Sequence, residues 1–224
     1  MKLFRKIQKW FENQGNLYYL FLIILIVPNI VLCFTEPMPL VAKVCNVLLP
    51  FSIYHMIMSW SGNCGKTFWI LFPFLFFGAF QIVLLYLFGQ SVIAVDMFLN
   101  LVTTNPGEAL ELLDNLIPAI IIVVLLYIPA LVLAAVAVSK KRRLSEMFVR
   151  RERKRAGITV IAGILSLVAA YLFDARYELK SDLYPANVCY NIALAFQRTA
   201  QTQHYAETSK DFTFQAKTTR PEKN

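Results

Sequence analysis

Apolar residues run in long blocks from which charge is almost absent. Residues 17–35, 67–95, 115–139 and 156–173 carry no Asp, Glu, Lys or Arg, and residues 37–65 carry only Lys43. Each block approaches or exceeds the ~20 residues with which an α-helix crosses ~30 Å of hydrocarbon. The pattern predicts five membrane-spanning helices at about 17–34, 39–60, 68–89, 116–139 and 156–173. Strict alternation of polar and apolar positions over ~10 residues, the mark of a membrane β-barrel strand, is missing. The expected fold class is an all-α membrane protein, a five-helix bundle spanning 16–175 with interfacial helices outside it.

Charge placement orients the bundle. Lys2, Arg5, Lys6 and Lys9 precede the first span, and residues 140–155 hold nine Lys/Arg and two Glu. The stretch 90–115 has Asp96, Glu108, Glu111 and Asp114 and no basic residue. Lys and Arg are retained in the cytoplasm. The N-terminus and the 140–155 loop are therefore expected inside, with the acidic loop and the C-terminus outside. Two segments on one side need an even number of crossings between them. That favours a full crossing by the second block despite Lys43, Asn46, Pro50 and His55, with a re-entrant segment as the alternative.

The ends read differently. Leu3, Phe4, Ile7, Trp10 and Phe11 fall on one helical face and the basic residues on the other, so 1–15 is expected to be a cytoplasmic interfacial amphipathic helix. No small-residue cleavage site follows the first apolar block, which argues against a cleaved signal peptide. After the fifth span, Val188, Ile192 and Phe196 recur at helical spacing beyond Pro185. Residues 176–200 are therefore expected to form an outer-face interfacial helix, and the polar 201–224 a linker.

Composition sharpens this picture. Hydrophobic residues are 58% of the 224 and charged residues 16%, against about 25% charged in an average soluble domain. The net charge of +8 sits beside membrane spans, where it meets anionic headgroups rather than nucleic acid. Cys33, Cys45, Cys64 and Cys189 form no C-x-x-C pair, so no structural disulfide is expected. His55 and His204 have no ligand partners at metal spacing, and no zinc site is expected. An ionisable His55 inside a span invites a functional role, against hydrogen bonding within the bundle or near the cytoplasmic headgroups. Gly65-Lys66-Thr67 lacks the earlier glycine and the preceding strand of a phosphate loop. Pro28, Pro50, Pro73 and Pro129 are candidate helix breaks, the device of transporters, although prolines are common in spans.

Chemistry concentrates in the acidic loop. Asn100, Thr104 and Glu108 are spaced by four and form one polar stripe on a continuous helix. Such a stripe suits a zwitterionic headgroup: carboxylate for an ammonium, amide and hydroxyl for phosphate or ester oxygens. A second reading stands beside it. Asn105, Pro106 and Glu108 match an N-cap, a first helical residue and a capping-box partner, so Glu108 serves substrate, the cap, or both.

The N-x-x-x-T-x-x-x-E loop of Asn100, Thr104 and Glu108, the P-x-N of Pro185 and Asn187, five spans and a polar tail together resemble the N-terminal membrane domain of bacterial phosphoethanolamine transferases. Many relatives carry Glu before the motif Thr, where this chain has Thr103. The resemblance implies an inner-membrane, multi-pass location with a periplasmic C-terminus. It implies a domain that binds phosphatidylethanolamine through Asn100, Thr104 and Glu108. That domain would present the headgroup to a periplasmic catalytic domain of the alkaline-phosphatase/sulfatase type, for transfer to lipid A or lipopolysaccharide core. In the family a Thr in a G-E-T context attacks the donor phosphate and releases diacylglycerol, with zinc held by Asp, Glu and His. This chain has no G-E-T and ends about where that domain would begin. It is thus expected to be a truncated, inactive part whose partners are membrane lipids and the missing periplasmic domain. It would hold no catalytic residue and no cofactor, the zinc belonging to the missing half. A small non-enzymatic transporter or scaffold, or the membrane domain of a related phosphoglycerol transferase, are the alternatives.

Overall fold

A computed structural model describes residues 2–88 and 106–208, and every regular element among them is helical. The amphipathic α1 (Lys2–Glu12) ends at Asn13, whose side chain caps α2 (Gln14–Thr35) by accepting from the Gly15 and Asn16 amides at 2.9 and 3.4 Å. Extended Glu36 ends α2, and after Pro37 and Pro39 the chain returns as α3 (Leu40–Trp60). Asn63 caps the next helix, which comes in two pieces, α4 (Cys64–Ile70) and α5 (Phe72–Phe88). Next come α6 (Pro106–Ser139) and α7 (Glu146–Phe173), then the one-turn α8 (Leu179–Asp182) and finally α9 (Ala186–Thr208). Among the described residues four helices are long and apolar enough to cross a membrane, and the bent pair α4–α5, taken as one span, brings the number to five.

Three expectations shift in detail. The third span begins at Cys64 and bends by 62° at Leu71. Pro73 has no N–H to offer the Trp69 carbonyl four residues back, and that carbonyl receives the Leu71 amide instead. Pro28, Pro50, Pro118 and Pro129 all sit inside unbroken helices. The basic loop is shorter than 140–155, because Ser145 caps α7 and its hydroxyl accepts from the Phe148 amide at 3.3 Å. The turn itself closes through Lys141, at φ 49°. Lys141 and Arg142 donate backward to Val138 and Ala137, both at 3.0 Å, which is a Schellman stop. Lastly, α9 runs to Thr208, into the stretch expected to be linker. Residues 197–208 contain no Gly or Pro, and Thr199, Thr202 and Thr208 hydroxyls satisfy carbonyls four residues back.

Small residues set the helix spacing. Ala156, Gly163 and Ala170 are buried and seven apart on α7, facing Ala42, Cys45, Leu49 and Ser52 of α3 in the most extensive helix pair of the fold. A methyl added at Gly163 would lie 2.7 Å from Ser52 Oγ and 3.3 Å from Leu49 Cα. Similarly, one at Gly65 of α4 would lie 2.5 Å from the Ala134 carbonyl of α6. Lipid adds no hydrophobic drive between helices, so close backbone approach is what holds them. Around α2 the core fills with Leu17, Tyr18, Leu22, Leu25 and Met58, and Phe21 stacks on Phe68 at 4.3 Å. In α2, 56% of the most apolar stretch is buried, against 17% in α7. The outer surfaces of α6 and α7 instead expose large apolar side chains such as Leu125, Ile161 and Leu165, as lipid contact requires.

Two glycines make opposite predictions. Gly65→Ala must displace backbone and should lower stability by about 1–3 kcal/mol. Nothing lies within 4 Å of a methyl added at Gly157, so Gly157→Ala should raise stability by about 0.5–1 kcal/mol through helix propensity. Thermal unfolding in detergent micelles checks both; equal shifts would refute the close-contact account.

Candidate functional site

Asn100 and Thr104 lie outside the described residues, as does the stretch from 89 to 105. Glu108 is the third residue of α6, which is helical from Pro106 onward; its side chain also lies outside the described residues. The region can be built from its surroundings. Counting crossings, the 36–39 turn, the two ends bounding 89–105, α8 and the start of α9 share one end of the bundle. The Gly62 and Leu144 turns share the other, joined by a Leu144 N–H to Gly62 carbonyl bond of 2.7 Å.

At the first end the segment after α7 is tied into the bundle by two asparagines. Asn29 of α2 donates through Nδ2 to the Asn46 carbonyl at 2.8 Å and to the Tyr184 carbonyl at 2.6 Å. Asn46 of α3 donates to the Asp182 carbonyl at 2.8 Å and to Met38 Sδ at 3.1 Å, and its Oδ1 accepts from Tyr177 OH at 2.9 Å. The Tyr177 hydroxyl also reaches Cys45 Sγ at 3.5 Å, and burial pushes this phenol well above its ordinary range. Tyr184 enters the bundle whole: it is 1% exposed and its hydroxyl donates to the Phe74 carbonyl. Pro185 follows through a cis peptide bond, and Asn187 is fully buried with its backbone N–H on the Leu183 carbonyl at 2.9 Å. The Pro185 and Asn187 pair singled out in the sequence thus marks where the outer segment plugs into the helices.

Deeper in, polar atoms outnumber partners. Tyr54 OH, Tyr127 OH and Asn29 Oδ1 are buried without a hydrogen-bond partner among the described residues. The Tyr127 and Tyr184 hydroxyls come within 3.1 and 3.2 Å of where a Gly78 side chain would begin. Leaving a buried polar group unsatisfied costs about 1–3 kcal/mol, so these tyrosines are a poor choice for packing alone. They offer donors and acceptors inside the bundle to water or to a polar ligand atom.

At the basic end, Glu152 is the buried carboxylate among the described residues, 1% exposed. Its Oε1 accepts from Arg151 at 3.1 Å and from Arg155 at 2.9 Å, and Arg155 also donates to Tyr19 OH at 3.2 Å. His55 is buried beside it, with Nε2 3.5 Å from Glu152 Oε2 and Nδ1 3.4 Å from Thr159 Oγ1. His55 therefore sits in a bundle-internal network that locks α3 to α7, the structural alternative weighed for it in the sequence. Glu152 itself was masked by its nine basic neighbours. The signal that reveals it is helical: Glu152, Ala156, Thr159 and Gly163 follow each other at four, three and four, on the face α7 turns to α3.

An apolar helical bundle with a polar interior and a capping outer segment defines a polytopic membrane domain. The sequence profile of phosphoethanolamine transferase EptA/EptB matches residues 51–200, which is more than half the chain, and the chain belongs to that family. Comparison with curated proteins returns no significant match, nor does comparison with solved structures.

Three substitutions check these networks. Asn46→Leu removes the bonds to Asp182 and Tyr177. It should cost about 1–3 kcal/mol and speed trypsin cleavage at Arg176 and Lys180; unchanged cleavage would mean the asparagine does not hold the segment. Glu152→Ala should cost about 1–3 kcal/mol. Arg151→Ala, at a half-exposed partner, should cost under about 1 kcal/mol; a reversed order would discard the buried-carboxylate account.

Proposed function

We propose that this chain is the lipid-holding membrane domain of a phosphoethanolamine transferase. It binds phosphatidylethanolamine in the outer leaflet of the bacterial inner membrane and presents the headgroup to a periplasmic catalytic domain. From there phosphoethanolamine passes to lipid A or lipopolysaccharide core. The observation that carries this reading is the family match over residues 51–200, which takes in Asn100, Thr104, Glu108, Pro185 and Asn187. The charge pattern supports the orientation, with the Lys141 turn in the cytoplasm and α8 and α9 in the periplasm.

The chain's own part is binding and orientation. Glu108 offers an anion to the ammonium, and Asn100 and Thr104 offer hydrogen bonds to phosphate or ester oxygens. The Asn29 and Asn46 network keeps the outer segment seated on the bundle. Among the described residues no group of His, Cys, Asp and Glu could hold a metal. In this reading the zinc that the resemblance implies belongs to the partner domain.

A binding measurement tests the assignment. In vesicles of phosphatidylglycerol with a minor fraction of phosphatidylethanolamine, the purified chain should retain the ethanolamine lipid selectively, as read by mass spectrometry of the extracted complex. Glu108→Gln should lower that retention about tenfold, the effect of one lost charge-assisted hydrogen bond. Retention equal to wild type would remove Glu108 from the headgroup site.

A further inference from the structure

A groove of about 520 Å³ lies between the α2–α3 turn and the segment that follows α7. Pocket volumes of roughly 300–1,000 Å³ are typical of small-ligand sites. Its walls combine Met38, Pro39 and Phe173 with three charged side chains, Asp174, Arg176 and Asp182. The carboxylates are held by backbone and not by cations. Asp174 Oδ1 accepts from the Arg176 amide at 3.1 Å, and Asp182 Oδ2 accepts from the Glu178 amide at 2.7 Å. No ion pair joins Arg176 to either of them; at this end the described pair is Lys180 with Glu178. One groove thus presents a guanidinium and two carboxylates that do not neutralise each other. Its floor is fixed, because Tyr177 is buried there and bonded to Asn46.

Asp174 is the residue at which α7 stops, directly after the exposed Leu172 and Phe173, and exposed Leu40 opens α3 across the groove. The groove therefore straddles the boundary where an apolar, lipid-facing surface gives way to charge. A ligand with apolar chains below and a zwitterionic head above meets complementary surfaces on both sides of that boundary.

We infer that this groove is a phospholipid site specific for an ethanolamine headgroup, built from residues other than Asn100, Thr104 and Glu108. Arg176 takes the phosphate, for which a planar guanidinium is suited. Asp174 and Asp182 take the primary ammonium, which donates hydrogen bonds that a quaternary choline cannot. Phosphatidylglycerol, with no cation, leaves both carboxylates facing a phosphate. The site would hold a donor lipid. The inference rests on the membrane-domain reading but not on Glu108.

The test uses the full chain in nanodiscs of phosphatidylglycerol, doped equally with phosphatidylethanolamine and phosphatidylcholine, with native mass spectrometry of retained lipid. Wild type should retain ethanolamine lipid over choline lipid. Arg176→Glu should lower that retention about tenfold, the size expected for one charge-assisted contact. Asp174→Asn should shift retention toward phosphatidylglycerol, and Arg176→Lys should keep part of the selectivity. Circular dichroism confirms that each variant stays helical. Unchanged retention in Arg176→Glu and Asp174→Asn overturns the site. Displacement of the lipid by soluble phosphoethanolamine overturns the lipid as its source. Loss in Glu108→Gln with none in Arg176→Glu overturns this inference and leaves the proposed function standing; the reverse supports the groove and sinks the Glu108 assignment.

Discussion

Polar atoms inside a membrane domain have no water to fall back on, and Asn46 answers that constraint for the whole outer half of this bundle. Both of its side-chain polar atoms are engaged, its amide with Asp182 and Met38 and its carbonyl with Tyr177, while its backbone carbonyl receives Asn29. An amide buried in hydrocarbon without partners is expensive. Here the same requirement is turned into placement, since Tyr177 and Asp182 belong to a segment more than a hundred residues away in sequence. The sheltered Tyr184 and the buried Asn187 follow from that anchor.

The inner half is organised by a different pairing. Glu152 gathers Arg151, Arg155 and His55 at the start of α7, and below it the small residues of α7 let α3 come close. A polar clasp at one end and a polar plug at the other leave the middle of the α3–α7 seam to Gly163 and Ser52. Fixed ends with a close-packed middle make this pair a rigid wall against which α2 is sealed.

Much of this was legible in the sequence, for reasons that also mark its limits. The five spans were visible because lipid tolerates almost no charge, so each crossing is written as a gap in the charged residues. The bend at Leu71 was not, since Pro28, Pro50, Pro118 and Pro129 look the same as Pro73 yet leave their helices whole. What differs is the local carbonyl bonding, which composition does not record. Asn29 escaped notice because it is uncharged and flanked by apolar residues. Glu152 escaped because a run of arginines reads as a solvated loop until the helix register is known. Asn100, Thr104 and Glu108 stand out by their spacing and by the family motif they match, and their side chains lie outside the described residues.

The length of α6 has a consequence of its own. Its 34 residues extend about 50 Å at 1.5 Å per residue, while hydrocarbon is only ~30 Å thick. Even when tilted, such a helix overshoots the bilayer. Its acidic first turns then form a mast, continuous with a span whose lower part is gripped by Gly65 of α4. A small change of tilt at its base becomes a sideways sweep at its tip. Any chemistry carried near Glu108 would therefore be aimed by helix packing well below the membrane surface.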